Sequence, residues 1–217
     1  MSTPQPNVGV DLVRIHKVIT RGLAVVADHS QGSGPEPARR AGFQAYVRAL
    51  TALLRAHHDG EDELAFPFWR AKAPQAPIDK LAHHHRLMTP LLDKMQAWLD
   101  TGEAGWADAP LAGLHADVEA LNQLWRTHIR LEEAVMGPDQ ASQMLTPEEN
   151  VQLGAQLSAH GQQHAQPSEL VLPFVLYNLP LDDRQAMMAV MPPVVTGQLI
   201  PIAWKAAWEP MRPFLLD

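Results

Sequence analysis

The chain has 217 residues and 46% of them are hydrophobic, which suits one domain with a sizeable core, with or without an extension. Its 17 basic and 24 acidic residues give a net charge of −7 without any Lys/Arg cluster, which argues against nucleic acid as a partner. The absence of cysteine excludes disulfides, thiolate metal sites, iron–sulfur clusters and a thiol nucleophile, so any metal must be held by His, Asp or Glu.

The amino terminus has neither the basic nor the apolar region of a signal peptide. No uninterrupted apolar run approaches the roughly 18 residues that span a bilayer. We therefore expect a soluble, cytoplasmic protein without membrane contact.

The first half of the chain predicts two long helices, because its apolar residues recur three and four positions apart and so share one helix face. The first helix runs roughly from residue 8 to 29, and a Gly- and Pro-rich loop follows at 31–37. The second runs roughly from 38 to 66, and we expect Pro67 and Pro74 to close it.

Two further helices follow with the same apolar spacing. The third begins after Pro77, a favoured first-turn residue, and ends near Gly102. The fourth opens near Asp108 and ends at the Gly137-Pro138 pair. Long helices joined by short loops predict an all-α fold, an antiparallel up-down-up-down four-helix bundle over residues 8–138.

Residues 139–217 are predicted to form a Pro-rich helical extension of this bundle. Thr146 and Glu149 frame a capping box with proline between them, so a fifth helix should run to about residue 165. Many prolines among apolar residues then indicate short helices wrapped onto the bundle. Trp204 and Trp208, four positions apart, suggest the apolar face by which this segment docks.

Each of the four bundle helices carries a histidine on its apolar stripe, and two of the stripes also carry a glutamate. The six residues are His16, His57, Glu61, His85, His128 and Glu132. A single histidine on such a stripe is usually an ordinary core residue. Burying six together without a cation would cost several kcal/mol for each unpaired ion.

The positions of the four histidines along their helices predict that they converge. His16 and His85 follow the starts of their helices by about the same distance as His57 and His128 precede the ends of theirs. In an antiparallel bundle the starts of odd helices lie beside the ends of even ones. At ~1.5 Å per residue, all four imidazoles then fall at one level.

The same six residues predict a metal site, and their number favours two ions. Four imidazoles and two carboxylates without a soft ligand suit iron, manganese or zinc. Six ligands are too many for one four-coordinate zinc. Two carboxylates, each one helical turn from a histidine, can bridge a pair of ions.

These motifs resemble those of the hemerythrin-like, or HHE cation-binding, proteins. The resemblance covers roughly residues 8–138 and rests on His16 in IHKVITRGL, HHDGEDELAFP from residue 57, His85 in HHHRLM, and HIRLEEAVMGP from residue 128. It implies a four-helix bundle around two iron ions bridged by oxo or hydroxo and by carboxylates. It also implies that the six residues are the ligands, with iron favoured over manganese or zinc. Dioxygen, hydrogen peroxide or nitric oxide would be the small ligand.

The sequence departs from the oxygen carriers of that family on the third helix. Those carry two histidines four apart, whereas His85 has Leu81 and Thr89 at these distances. His58, His84, water or the oxidant would take the vacant place. A more open coordination sphere favours redox chemistry over reversible carriage, and a catalase- or peroxidase-like activity fits it.

Two other functions stay open at this stage. One is an iron- or oxygen-responsive sensor whose metal occupancy sets the conformation of residues 139–217. The other is a structural bundle stapled by zinc.

Four residues outside the six carry secondary expectations. Asp62 and Glu133, the second acids of the two motifs, are expected to orient ligating imidazoles. His160 and His164 are one helical turn apart on the fifth helix and resemble half of a metal site. The sequence places no carboxylate or third histidine beside this pair, so we do not predict a site there.

Overall fold

The computed structural model describes residues 7–216, and within that range the chain forms helices and no strand. The predicted all-α class is confirmed. The prediction that the amino terminus is not a signal peptide rests partly on residues 1–6, which lie outside the described range. Between residues 7 and 216 no single helix is long and apolar enough to cross a membrane, although Leu181–Val190 and Val195–Ala203 together, bent by 112°, meet those criteria.

The described chain contains long helices first and shorter ones later. In order they are α1 (Val8–His29), α2 (Arg40–Gly60), α3 (Phe66–Lys72), α4 (Ile78–Asp100), α5 (Asp108–Met136), α6 (Pro138–Met144), α7 (Pro147–His164), α8 (Ser168–Tyr177), α9 (Leu181–Val190) and α10 (Lys205–Trp208). Two π-helical segments lie at Glu61–Ala65 and Val195–Ala203, and 3₁₀ turns lie at Pro37–Arg39, Gly102–Trp106 and Glu209–Phe214.

The predicted end of the second helix at Pro67 is wrong. The chain stays helical from α2 through the π segment Glu61–Ala65 and on to Lys72. In the π turn the N–H of Phe66 bonds to the carbonyl of Glu61, five residues back. Pro67 falls at the start of α3, a position at which the missing N–H of proline is tolerated. The extra residue of the π turn therefore lets a helix pass a proline that would otherwise stop it.

The long helices pack side by side around one large apolar cluster. α1 contacts α2 and α5, and α4 contacts the same two helices. Leu23, Leu50, Leu92 and Leu121, one from each, lie in this main cluster and are almost fully buried. Fully burying a leucine contributes ~1.5–3 kcal/mol, so this cluster dominates the stability of the fold.

The carboxy-terminal helices pack against the long ones, as predicted. α6 contacts α1 and α5, α7 contacts α1, α2 and the π segment, and α8 contacts α2. The predicted capping box of α7 is present: the Glu149 N–H donates to Thr146 Oγ1 at 3.2 Å, and the Thr146 N–H donates to Glu149 Oε2 at 2.9 Å. The Trp208 indole is buried and donates to the Ile200 carbonyl at 2.7 Å.

A polar network joins the carboxy-terminal residues to α1 and α2. The Arg21 guanidinium donates to Asn178 Oδ1 at 2.7 Å and to the Phe214 carbonyl at 2.9 Å. The Tyr46 hydroxyl donates to the same Asn178 oxygen at 2.8 Å. Since Tyr46 and Asn178 are buried, removing one partner would strand a buried polar group, which costs ~1–3 kcal/mol.

A second apolar cluster, here called the end cluster, lies at the end of the molecule where α1 and α4 begin and α5 ends. Its buried members are Val8, Ala65, Phe66, Trp69, Ile78, Leu81, Met136, Ala141, Leu145 and Leu153. α6 and α7 supply part of it, so the extension helps to seal this end. Gly9 permits the close packing of α1 on the end of α5, because a Cβ there would lie 2.5 Å from the carbonyl carbon of Gly137.

Candidate metal centre

The six histidines and glutamates of the sequence motifs lie together in the interior. Trp125 of the main cluster is on one side, with its ring centroid 5.2 Å from that of His16. Phe66 of the end cluster is on the other side and stacks on His85 at 5.1 Å. The polar groups are therefore enclosed between two apolar layers, where charge interactions are weakly screened.

One group of potential ligands comes from α1, α2, the π segment and α5. His16, His57, Glu61 and Glu132 offer ligand atoms that all lie within 4.8 Å of one another. His16 Nε2 lies 3.0 Å from Glu132 Oε2, and His57 Nε2 lies 3.3 Å from Glu61 Oε1. These four residues are those that the motifs on α1, α2 and α5 predicted to converge.

A second group contains three imidazoles, and one of them is a residue that the sequence left open. His58, His85 and His128 also offer ligand atoms within 4.8 Å of one another. His85 Nε2 lies 3.3 Å from His128 Nε2, and the His58 ring stacks on the His85 ring at 4.0 Å. His84, the other candidate, is in neither group, and its ring centroid is 5.8 Å from that of His128.

The two glutamates each touch imidazoles from both groups. Glu61 Oε1 faces His57, while its Oε2 lies 3.4 Å from His85 Nε2. Glu132 Oε2 lies 3.0 Å from His16 Nε2 and 3.2 Å from His128 Nε2. The carboxylates thus lie between two nitrogen-rich groups, which is the arrangement that bridging ligands need.

Outer carboxylates hold two of the imidazoles. His16 Nδ1 lies 2.7 Å from Glu133 Oε1, and His85 Nδ1 lies 3.1 Å from Asp62 Oδ1. These are the contacts predicted for the second acid of each motif. A proton on His16 Nδ1, hydrogen-bonded to Glu133, leaves the Nε2 lone pair of that ring free to face the centre. His85 Nδ1 lies close to Asp62 without the geometry of a hydrogen bond.

The two buried glutamates differ in their electrostatics. Burial, reinforced by the negative charge of Glu132, raises the pKa of Glu61 to about 8. Burial alone would also raise the pKa of Glu132, but the adjacent imidazoles of His128 and His16 outweigh burial and hold that pKa well below its ordinary value. In the metal-free protein at neutral pH, Glu132 therefore carries the charge and Glu61 holds a proton.

The imidazoles also fall into two classes, with raised and with lowered pKa values. Burial opposes protonation of His16 and His85, but their carboxylate partners outweigh it and raise the pKa of each to about 9. Burial and the neighbouring imidazoles lower the pKa of His57 and His58 well below 6.5. Neutral imidazole is the form that binds metal, so His57 and His58 are ready as ligands, whereas His16 and His85 must first lose a proton.

Many polar atoms at this centre are buried without a hydrogen-bond partner. They include Nε2 of His16, His57 and His58 and both carboxylate oxygens of Glu61 and Glu132. Each such group left unsatisfied in the interior costs ~1–3 kcal/mol. Cations held among these nitrogens and oxygens would satisfy them together, so the donor set fits metal ions.

Comparison with known proteins agrees with this chemistry. The family model of the hemerythrin HHE cation-binding domain matches residues 10–139. The chain belongs to the hemerythrin family. Neither a curated protein nor a solved structure matches it. Membership in the hemerythrin family implies that the domain binds metal ions, typically iron, and the two His/Glu groups are where they would bind.

The hemerythrin match and the structure together show what the sequence motifs missed. The match stops at residue 139, just inside α6, yet α6 and α7 help to close the end of the molecule beside the centre. Within the matched region, His58 is the ligand candidate that the stripe pattern did not assign. Its one available signal was its place beside His57, at the same end of the helix.

Proposed function

We propose that this hemerythrin-family protein holds two iron ions on an antiparallel up-down-up-down bundle, and that it binds dioxygen or reacts with peroxide or nitric oxide. The observation that carries the proposal is the pair of His groups joined by two shared carboxylates. A single ion would need neither two groups nor two spanning glutamates.

The residues divide between the two ions as follows. His16 and His57 would hold one ion, and His58, His85 and His128 the other, with Glu61 and Glu132 between them. Iron bound there supplies redox chemistry by cycling between the ferrous and ferric states. The group with two imidazoles has one protein ligand fewer, which favours it as the side that meets the small oxidant.

A groove beside His16 supports that choice of side. It has a volume of about 470 Å³ and runs along α1 and α5, and the residues that line it are Val13, His16, Lys17, Thr20, Arg21, Ala24, Ile129 and Glu133. The apolar part of this lining suits small neutral molecules such as dioxygen and nitric oxide. Glu133 is partly exposed in this groove, and its carboxylate contacts His16 Nδ1 at 2.7 Å.

The test is metal analysis with spectroscopy on the full chain made in iron-replete medium. We expect about two irons per chain and an absorption change in the near-ultraviolet and visible range when hydrogen peroxide is added. His57→Ala should lower the iron content and weaken that change. His83→Ala, on an exposed histidine of α4, is the control and should leave both unaltered. One zinc ion or no metal, with no spectral change, would overturn the proposal.

A sensor is the second candidate, and one observation favours it. α7 packs directly on the π segment that begins with Glu61, so a change at the centre has a physical route to the extension. Turnover separates the two functions: an enzyme consumes peroxide repeatedly, whereas a sensor reacts once and changes shape. A bundle that holds zinc for structure alone would be colourless. It would neither consume peroxide nor change shape on reaction with it.

A further inference from the structure

A second set of potential metal ligands lies where α7 packs on α2 and the π segment. His160 and His164 are one turn apart on α7, and their rings stack at 4.1 Å. Two histidines at this spacing can hold a transition metal when a further ligand is present. The sequence shows no such ligand next to them, so the question is what the fold brings to their side.

The end of α2 supplies two carboxylates at the same helical spacing. Glu63, in the π segment, places Oε2 3.5 Å from His160 Nε2. Asp59, four positions earlier, lines a cleft of about 320 Å³ together with His164, and Arg48 and Arg55 line the same cleft. α2 and α7 are in direct contact. The two histidines and the two acids therefore lie in one region, but no three of their ligand atoms lie within 4.8 Å of one another, so binding one ion requires their side chains to rotate.

His160 shows that this arrangement is more than a pair of surface residues. Its side chain is only 8% exposed, and neither ring nitrogen has a hydrogen-bond partner. The ring lies against Gly60, where a Cβ would come within 3.2 Å of His160 Nδ1. A buried imidazole with both nitrogens unsatisfied is costly unless something binds it.

We propose that His160, His164, Asp59 and Glu63 bind one divalent transition-metal ion of the zinc type. Two imidazoles and two carboxylates match the nitrogen and oxygen ligands and the tetrahedral geometry that Zn²⁺ accepts. Glu63 is 65% exposed and its carboxylate is free to turn toward the ion. None of these four residues is a ligand of the proposed iron centre, although Asp59 follows His58 directly and Glu63 lies two residues after Glu61.

The bound ion would tie the extension to the hemerythrin domain. α7 lies outside the matched region, and Asp59 and Glu63 lie within it. Binding to the folded state alone stabilises it by RT ln(1 + [Zn²⁺]/Kd), so the melting temperature should rise with zinc concentration. The consequence is a metal-dependent clamp between two parts of the chain.

The experiment is a Zn²⁺ titration of the full, iron-loaded chain against a chromophoric chelator. We expect one equivalent of Zn²⁺ to bind without loss of iron. The double variant His160→Ala/His164→Ala should weaken that binding by at least the roughly 10–100-fold that loss of a metal-site partner causes, with the iron content and visible spectrum unchanged. His83→Ala should bind as the unaltered chain does. Unchanged zinc binding in the double variant would overturn the site.

A second variant guards against misfolding of the double one. His164 is exposed, so His164→Ala removes a ligand without opening a cavity. We expect it to abolish the zinc-dependent rise in melting temperature and to leave the zinc-free melting temperature unchanged. A zinc-dependent rise equal to that of the unaltered chain would refute the proposal. Because iron content is measured on the same samples, failure of this site and failure of the iron centre are distinguishable.

Discussion

The two His-x-x-x-Glu motifs share a sequence skeleton but differ in the structures that carry them. The first starts at the end of α2, and its Glu61 opens a π segment through which the helix continues past Pro67. The second lies wholly within α5, which ends at Met136. The first also brings a neighbouring imidazole, His58, into the centre, whereas the second has Ile129 at that position.

The glutamates of the two motifs differ as well. Glu132 is held ionised by two imidazoles, while Glu61, buried beside that charge, has its pKa raised to about 8. Burial and the negative charge of Glu132 outweigh the opposing effect of the His85 and His16 imidazoles, so the carboxyl of Glu61 keeps its proton. An internal sequence repeat therefore specifies a pair of positions and leaves the halves chemically unequal until metal is bound.

The largest expected effect tests that inequality in the metal-free protein. Glu132→Gln should destabilise it by ~3–5 kcal/mol at pH 7, because a protonated His16 would lose its buried partner. Glu61→Gln should cost about 1 kcal/mol or less, since it replaces a neutral acid by a neutral amide. Chemical denaturation of the metal-free chain measures both losses, and equal losses would contradict the assignment of the charge to Glu132.

A pH series probes the same inequality through the imidazoles and Glu61. Because the pKa values of His16 and His85 are raised to about 9, their stabilisation is complete below pH 6.5 and is lost as pH rises through 9. The raised pKa of Glu61, about 8, acts in the same direction, since ionising it in the folded state becomes costly. The lowered pKa values of His57 and His58 remove stability below pH 6.5.

Together these shifts predict a maximum in the stability of the metal-free chain near pH 6.5. Each unit of pKa change corresponds to roughly 1.4 kcal/mol, so the decline toward pH 9 should reach a few kcal/mol. Denaturation midpoints between pH 5 and 9.5 measure it. Metal affinity should rise over the same range as His16 and His85 release their protons. Stability that increased steadily to pH 9 would show that the imidazoles are not charged.

His58 and His84 are the two candidates for a seventh ligand beside the six predicted residues, and replacing each of them tests which one binds metal. His58→Ala should weaken retention of one iron by at least ~10–100-fold, because His58 lies with His85 and His128. His84→Ala is the matched control, a buried histidine one position before His85 that joins neither group. Iron per chain after dialysis against a chelator gives the answer. Loss with His84→Ala and retention with His58→Ala would reverse the assignment.

The smallest effect concerns the outer acids of the two motifs. Glu133→Gln and Asp62→Asn should each lower metal affinity by roughly tenfold, since the imidazole behind them loses its orienting carboxylate. Glu133 should have the larger effect, because it lies 2.7 Å from His16 Nδ1, against 3.1 Å between Asp62 and His85 Nδ1. Competition with a chelator of known affinity compares the two. No change in either variant would indicate that packing alone orients the rings.

The sequence predicted that these side chains converge because its information was periodic. The apolar stripe on each long helix puts His16, His85 and His128 on inward faces, and helix length sets their level. Those are local properties, and close packing of long helices leaves few other arrangements. The convergence of the six predicted residues follows from them.

What the sequence could not predict depends on rotation and on distant contacts. His58 and His84 each lie about 100° from their stripe, so the pattern treats them alike, and small helix rotations decide which turns inward. The π turn at Glu61–Ala65 has no simple sequence signature, which is why Pro67 was read as a stop. Glu63 meets His160 only because α7 folds back on α2, a contact across most of a hundred residues.

Trp125 gives the centre an optical property of its own. Its indole ring lies within 5.2–6.3 Å, centroid to centroid, of His16, His57, His58 and His128, and its N–H donates to Thr20 Oγ1 at 2.9 Å. Iron bound in this centre would quench indole emission at such a distance. The fluorescence intensity of Trp125 should therefore fall as metal binds, so that it reports the metal occupancy of the centre.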